Sequence, residues 1–186
     1  DIDLRELHRL ISSMPAVEKV NVSSHIGGEI QIRINQRVPL ARCIDDHGNS
    51  FYLDRTAHAF KVNPNYTSHQ LIINGEIGVI DDNIIFVDLD TLNNEILKEA
   101  FVAAEYIYSN TFWKSQLVQL YYDKDKGFEG IHRIGDFTIL FGSLDDLPSK
   151  LKQLEAFFNQ GLSTIGWDKY RYINMKFKNQ IICTKR

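Results

Sequence analysis

The chain is poor in the features that most directly announce chemistry. Only two of its 186 residues are cysteine, Cys43 and Cys183, and they lie far apart. They form neither a ligand-type spacing nor a disulfide framework, and two isolated thiols leave the redox compartment open. No window reaches the ~18 apolar residues that a membrane span requires, and no signal peptide is visible. Lysine and arginine are spread along the chain and the net charge is −3. That argues against nucleic acid as a partner, which needs a concentrated basic face. The six histidines, His8, His25, His47, His58, His69 and His132, show no paired spacing suited to zinc. No glycine-rich loop leads from a strand into a helix to cradle phosphate. Neither a metal nor a cofactor is expected.

Catalytic constellations are equally thin. Cys43, Asp45 and His47 alternate along a strand and its turn. Side chains two apart on one strand face sit roughly 7 Å from each other, too far for a base to activate a nucleophile. A buried thiol beside turn-forming polar residues is the simpler reading. The acidic pairs Asp45-Asp46, Asp81-Asp82 and Asp145-Asp146 adjoin turns or helix starts, where carboxylates cap orphan N–H groups. Nothing points to an enzyme, although a site assembled from distant residues stays open as an alternative.

What is present is an ordinary folded protein. Hydrophobic residues make up 44% and charged residues 24%. A chain of this length buries roughly 70% of the surface its unfolded form exposes, so it needs no staple. Asp3 and Glu6 resemble a capping box ahead of Leu4, Leu7, Ile11 and Met14, which share a helical face. Pro15 ends this helix or restarts it. Val20 and Val22 begin a strand, residues 23–28 read as a turn, and Ile30, Ile32 and Ile34 alternate with polar neighbours. Val38-Pro39 marks a change of register and a domain boundary.

From Leu40 strands dominate. Residues 41–44 and 51–53 flank the turn Asp46-His47-Gly48-Asn49. Asn63-Pro64-Asn65 reads as loop, and residues 71–73 ending at Asn74-Gly75 as a strand. Asp90 is expected to cap a helix whose stripe runs through Leu92, Ile96, Leu97, Ala100, Phe101, Ala104, Ile107 and Tyr108. Residues 117–122, 128–134 and 137–141 read as strands. Leu147, Leu151, Leu154 and Phe158 define a second amphipathic helix that Gly161 is expected to close in the left-handed conformation. The aromatic residues of the second half are assigned to packing, with Trp167, Tyr170 and Tyr172 considered for a contact surface. The fold class is α+β, a small helix-and-sheet unit followed by a mostly antiparallel β domain with two amphipathic helices.

The stretch from Tyr170 to Arg186 carries most interest. Ile173, Met175 and Phe177 alternate with Asn174, Lys176 and Lys178, the signature of a half-buried strand. Lys178-Asn179-Gln180 interrupts it as a tight turn or a bulge, and a short second run follows. A last strand either closes the domain's own sheet or lies at an edge, where free N–H and C=O groups can pair with another protein.

Particular blocks resemble a known family. Gln31 to Val38, leading into Pro39-Leu40-Ala41, is similar to a strand ending in an arginine–hydrophobic–proline–hydrophobic–alanine run. Gly135-Asp136-Phe137 with Leu140-Phe141-Gly142-Ser143 precedes an amphipathic helix. Ile173-Asn174-Met175-Lys176-Phe177 forms a hydrophobic–polar–hydrophobic–basic–aromatic block. In this order the blocks resemble the extracytoplasmic part of the bacterial cell-division proteins FtsQ and DivIB. The substitutions are in the style of the Bacteroidetes branch. Gln180 stands where that family often has glycine, Leu71 where it often has proline, and Cys183 and Lys185 where it often has aliphatic and aromatic residues.

The resemblance implies residues 1–38 as a POTRA-type domain, its first strand truncated or not, and 39–186 as the family's β domain. It implies a non-enzymatic scaffold on the periplasmic side of the inner membrane, anchored by an upstream helix; the first residue, Asp1, fits a fragment or a processed chain. The partners implied are FtsB- and FtsL-type coiled-coil division proteins and other divisome components. They would bind by strand addition along Phe177, Asn179, Gln180, Ile181, Ile182, Cys183 and Lys185. The rival reading within binding proteins is a POTRA-type module for outer-membrane protein assembly or secretion.

Overall fold

A computed structural model describes residues 2–61, 68–80, 86–162 and 166–186. The expected loop at Asn63-Pro64-Asn65 and the pair Asp81-Asp82 lie outside them. The first unit is a helix on a hairpin. Helix α1, Leu4–Ser12, is capped by Asp3, whose carboxylate accepts the N–H groups of Arg5 and Glu6. The reciprocal half of the expected capping box is absent, because Glu6 turns instead to Arg9 at 2.6 Å. After Pro15 the chain does not restart a helix; it enters β1, Val17–Ser24, which pairs with β2, Ile30–Gln36. Ile32 and Ile34 lie opposite Val22 and Val20 on one face, as the alternation predicts. Helix α1 lies along β1, and the two isoleucines keep 42% and 51% of their surface exposed.

From Pro39 onward the strands join a single mixed sheet. They are β3 (Pro39–Ile44), β4 (Ser50–Asp54), β5 (His58–Lys61), β6 (Leu71–Gly75), β7 (Phe86–Asp88), β8 (Leu117–Asp123), β9 (Gly127–His132), β10 (Thr138–Gly142), β11 (Tyr170–Asn174) and β12 (Ile182–Lys185). Their order across the sheet is β12-β11-β10-β9-β8-β6-β3-β4-β5-β7. Hairpin neighbours are antiparallel, while the β3–β6, β6–β8 and β10–β11 pairs are parallel. The β6–β8 and β10–β11 crossovers carry the helices α2 (Glu95–Ser109), α3 (Thr111–Gln116) and α4 (Leu147–Phe157). The fold is therefore α+β, with helices where parallel neighbours require a long return.

Burial shows why these residues make this sheet. In β9 and β10, Phe128, Gly130, His132, Ile139 and Phe141 are buried and alternate with half-buried positions, the pattern of a sheet packed on one face. Leu97, Ala100, Ala104 and Ile107 form the buried stripe of α2, and Leu147, Leu151 and Leu154 that of α4. Gly130 is small for a packing reason. A Cβ there would lie 2.6 Å from Cε2 of Phe141 on the neighbouring strand.

Four local expectations are corrected. Helix α2 is capped by Asn94, not Asp90: the Asn94 side chain accepts the Leu97 N–H and donates to the Ile77 carbonyl at 2.7 Å. A carboxylate accepts only, so Asp90 could not tie the helix start to Ile77 in this way. Helix α3 was not expected; Asn110 ends α2 and caps the new turn through the Trp113 N–H, driving Trp113 into the core at 1% exposure. Gly161 does not take a positive φ. Instead α4 widens into a π-turn, Phe158–Leu162, that keeps Leu154, Phe158 and Leu162 all buried, and the glycine with positive φ is Gly166. Finally, β11 ends at Asn174, short of Phe177. The Asn174 side chain accepts the Lys176 N–H and turns the chain away.

Candidate functional site: the terminal edge of the sheet

The site is built on two strands and the loop between them. Strand β11 is held on its inner side by β10, with Ile139 opposite Ile173 and the Met175 N–H donating to the Leu140 carbonyl at 2.8 Å. Ile173 and Met175 are buried and anchor this layer. On its outer side β11 pairs antiparallel with β12, matching Ile173 to Cys183, Tyr172 to Thr184 and Asn174 to Ile182. Strand β12 ends the sheet order, so among the described residues its outer backbone edge meets no further strand.

The loop resolves the choice between turn and bulge. The Gln180 N–H donates to the Phe177 carbonyl at 3.3 Å, and Asn179 takes φ 60°. This is a turn with its left-handed position at asparagine, which tolerates that region better than other side chains with a Cβ. Phe177 is 52% exposed at the turn's start and Ile182 45% exposed at the strand's start. Cys183 shares the face of Ile173 and packs at the rim of the core, as does Ile181. Burial pushes the Cys183 thiol above its usual value, so it is a protonated packing group at neutral pH. The seven residues assigned from the sequence thus fall on one hairpin: Phe177, Asn179 and Gln180 in the turn, Ile181 after it, Ile182, Cys183 and Lys185 on β12.

Two side chains not singled out from the sequence secure the hairpin. Arg186 reaches across β11 to Asp136, ahead of β10, where its guanidinium meets the carboxylate at 2.6 Å and the backbone carbonyl as well. The partners are 50 residues apart and no local pattern announces them. Trp167 is half-buried and packs at the rim of the core. Its ring stacks near Phe137 and His132 and meets Phe158 at 5.2 Å between centroids. Tyr170 likewise leans on Phe157.

Away from this edge the residues considered for chemistry do other work. Cys43 is fully buried and its thiol is pushed up by desolvation. Asp45 folds its own turn, accepting the N–H groups of His47, Asn49 and Ile80; burial raises its carboxyl, but these bonds outweigh that and hold it below the usual range. Asp46 accepts the Gly78 N–H. Asp146, at the start of α4, makes no side-chain cap bond, while Asp145 accepts from the Ser143 hydroxyl. Among the described residues no three histidine, cysteine or acidic side chains come together as a metal site, and no helix is long and apolar enough to cross a membrane.

A comparison with curated proteins returns no match. Residues 38–184, from the residue before β3 to within two residues of the C-terminal Arg186, match the model of the family described as FtsQ/DivIB, C-terminal related; the chain belongs to that bacterial cell-division family.

Proposed function

We propose that the chain is a non-enzymatic scaffold of the divisome, acting on the periplasmic side of the inner membrane as the outer part of a membrane-anchored protein. In this reading residues 1–38 are a POTRA-type domain and residues 39–186 the domain that recruits partners. It holds an extended segment of an FtsB- or FtsL-type coiled-coil protein by adding that segment to β12. Backbone hydrogen bonds supply the hold, and exposed Phe177, Asn179, Gln180 and Ile182, with Ile181, Cys183 and Lys185, supply selectivity. The observation that carries the proposal is the position of β12 at the end of the ten-stranded order.

Successive N–H groups along such a strand point to opposite sides. Of Ile182→Pro and Cys183→Pro, one therefore removes a donor from the free edge and the other from the β11 pairing. The edge variant should keep its melting temperature and lose partner binding in a pull-down or by calorimetry. If both prolines leave affinity for a purified FtsB-type partner untouched in folded protein, the edge is not the docking site.

A further inference from the structure

The protein is acidic overall, yet one cleft gathers basic side chains. It opens where the first residues of β3, β6 and β8 meet α2 and α3, and encloses about 250 Å³. Its floor is apolar, formed by Leu40, Leu71, Ala104, Ile107 and Leu117. Its rim carries His69, Lys114 and Arg133. These three come from separate elements, so the sequence shows spread basic residues where the fold makes a cluster. The Lys114 ammonium lies 3.7 Å from the centre of the Tyr108 ring, and the Arg55 guanidinium 5.4 Å from the same ring. Arg133 donates through Nε to the Ser115 carbonyl at 2.8 Å. That bond fixes the guanidinium and leaves its two terminal nitrogens without a partner among the described residues. Among those residues no carboxylate forms an ion pair with Lys114, Arg133 or Arg55.

We infer that this cleft is a second docking site, distinct from the β12 edge, for an extended acidic segment of a partner protein that inserts one apolar side chain. Three observations select that occupant. The volume falls below the roughly 300–1,000 Å³ of small-molecule sites and suits one or two anchoring side chains. Among the described residues Lys114, Arg133 and Arg55 have no acidic ion-pair partner, and a low-dielectric wall focuses their field outward. The apolar floor has no use in gripping a phosphate, which argues for a peptide over a lipid headgroup or a nucleic acid. Carboxylates of the segment meet the Arg133 fork and the Lys114 ammonium, and its apolar residue covers Leu71 and Leu117.

The test uses the whole chain and a fluorescein-labelled probe peptide of alternating glutamate and leucine, read by fluorescence anisotropy. Parallel arms replace glutamate by lysine, replace leucine by serine, and substitute vesicles of phosphatidylglycerol. The glutamate–leucine probe should bind, with affinity falling as salt rises, and both altered peptides should bind about tenfold more weakly or worse. The exposed pair of changes Lys114→Glu and Arg133→Glu should lower probe affinity by about tenfold or more with the melting temperature unchanged. Ile182→Pro should leave probe binding as it is, which separates this site from the β12 edge. The inference is overturned if no probe binds, if the charge-reversed protein binds it equally well, or if the serine peptide binds as tightly as the leucine one. Capture by vesicles that depends on Lys114 and Arg133, without peptide binding, overturns it in favour of a membrane surface.

Discussion

The joint between the N-terminal hairpin and the sheet offers the sharpest energetic prediction. Arg37 follows β2, and its guanidinium donates to Oδ2 of Asp54, the last residue of β4, at 2.6 Å. Side-chain exposures are 12% and 4%, so the pair is largely out of water. Oδ1 of Asp54 accepts the Thr56 N–H at 2.8 Å, the Thr56 hydroxyl at 2.8 Å and the His58 N–H at 3.0 Å. Arg37 also lies 4.3 Å over the Phe86 ring. Asp54→Ala strands a buried cation and three donors, a loss in the range of about 3–5 kcal/mol for breaking such a pair. Arg37→Met keeps the apolar stem and leaves Asp54 with three donors; it loses the charged hydrogen bond to Oδ2, about 1.5–3 kcal/mol, with a weaker 3.4 Å bond to the Thr56 hydroxyl and the contact with Phe86. Asp54→Ala should therefore cost more than Arg37→Met, and the double variant should cost less than their sum. Urea unfolding followed by tryptophan fluorescence measures all three. If Asp54→Ala costs under about 1 kcal/mol, or Arg37→Met costs more, the pair does not hold the joint as its geometry implies.

Further outcomes follow from the same reasoning. Burial raises the Asp54 carboxyl, but the bonds from His58, Thr56 and Arg37 outweigh it and hold it below the ordinary value. The folded state then binds fewer protons than the unfolded one, so this stability is present above the ordinary aspartate range and drains away as pH falls through the folded value; acid titration of Asp54→Asn should show a shallower loss than the wild type. His132 is buried among Phe137, Phe158 and Trp167 with Nε2 lacking a partner among the described residues, and desolvation lowers its pKa despite the Ile134 backbone. Its neutral form is favoured, so stability falls as pH drops below about 6.5, and His132→Phe should flatten that slope in thermal melts. Gly130→Ala puts a Cβ 2.6 Å from Phe141 and should cost about 1–3 kcal/mol by overpacking, read as a lower urea midpoint. Asn179→Gly relieves a positive φ on a residue with a Cβ and should leave stability within about 1 kcal/mol of the wild type, or raise it slightly.

What the sequence disclosed, and what it hid, follows the range of the interaction. Strands β8, β9 and β10 are legible because apolar runs are broken by the charged turn ending at Gly127 and by Gly135-Asp136, with Phe128 set between Gly127 and Glu129. The stripes of α2 and α4 were legible from 3.6-residue spacing. The sequence points to Asp90 as the start of α2 because it is a good cap in isolation, whereas Asn94 wins through a bond to Ile77 that only the fold supplies. The π-turn after α4 was invisible for the same reason: Gly161 looks like a stop, and the burial of Phe158 and Leu162 overrides it. Of the candidate edge, the alternation through Ile173 and the break at Lys178-Asn179 were local signals. The reach of Arg186 to Asp136, the Arg37–Asp54 pair and the assembly of His69, Lys114 and Arg133 into one cleft join residues far apart in the chain, and no periodicity reports them.

An edge strand proposed to dock a partner must also refuse the wrong one, and β12 has features suited to that. Four residues make a short template, which limits the backbone bonds a second copy of the chain could form. Lys185 places a charge on the strand, which disfavours its burial against the edge of a second copy. Arg186 is drawn back over β11 to Asp136, which holds the end of the strand against its own sheet. At the other end Phe177 and Ile182 stay exposed, the one place on the hairpin where apolar surface adjoins free backbone. In the proposed docking, affinity from the backbone alone would be indiscriminate; joined to these two side chains and guarded by Lys185, it would select a segment with an apolar residue at one end and an acidic one at the other.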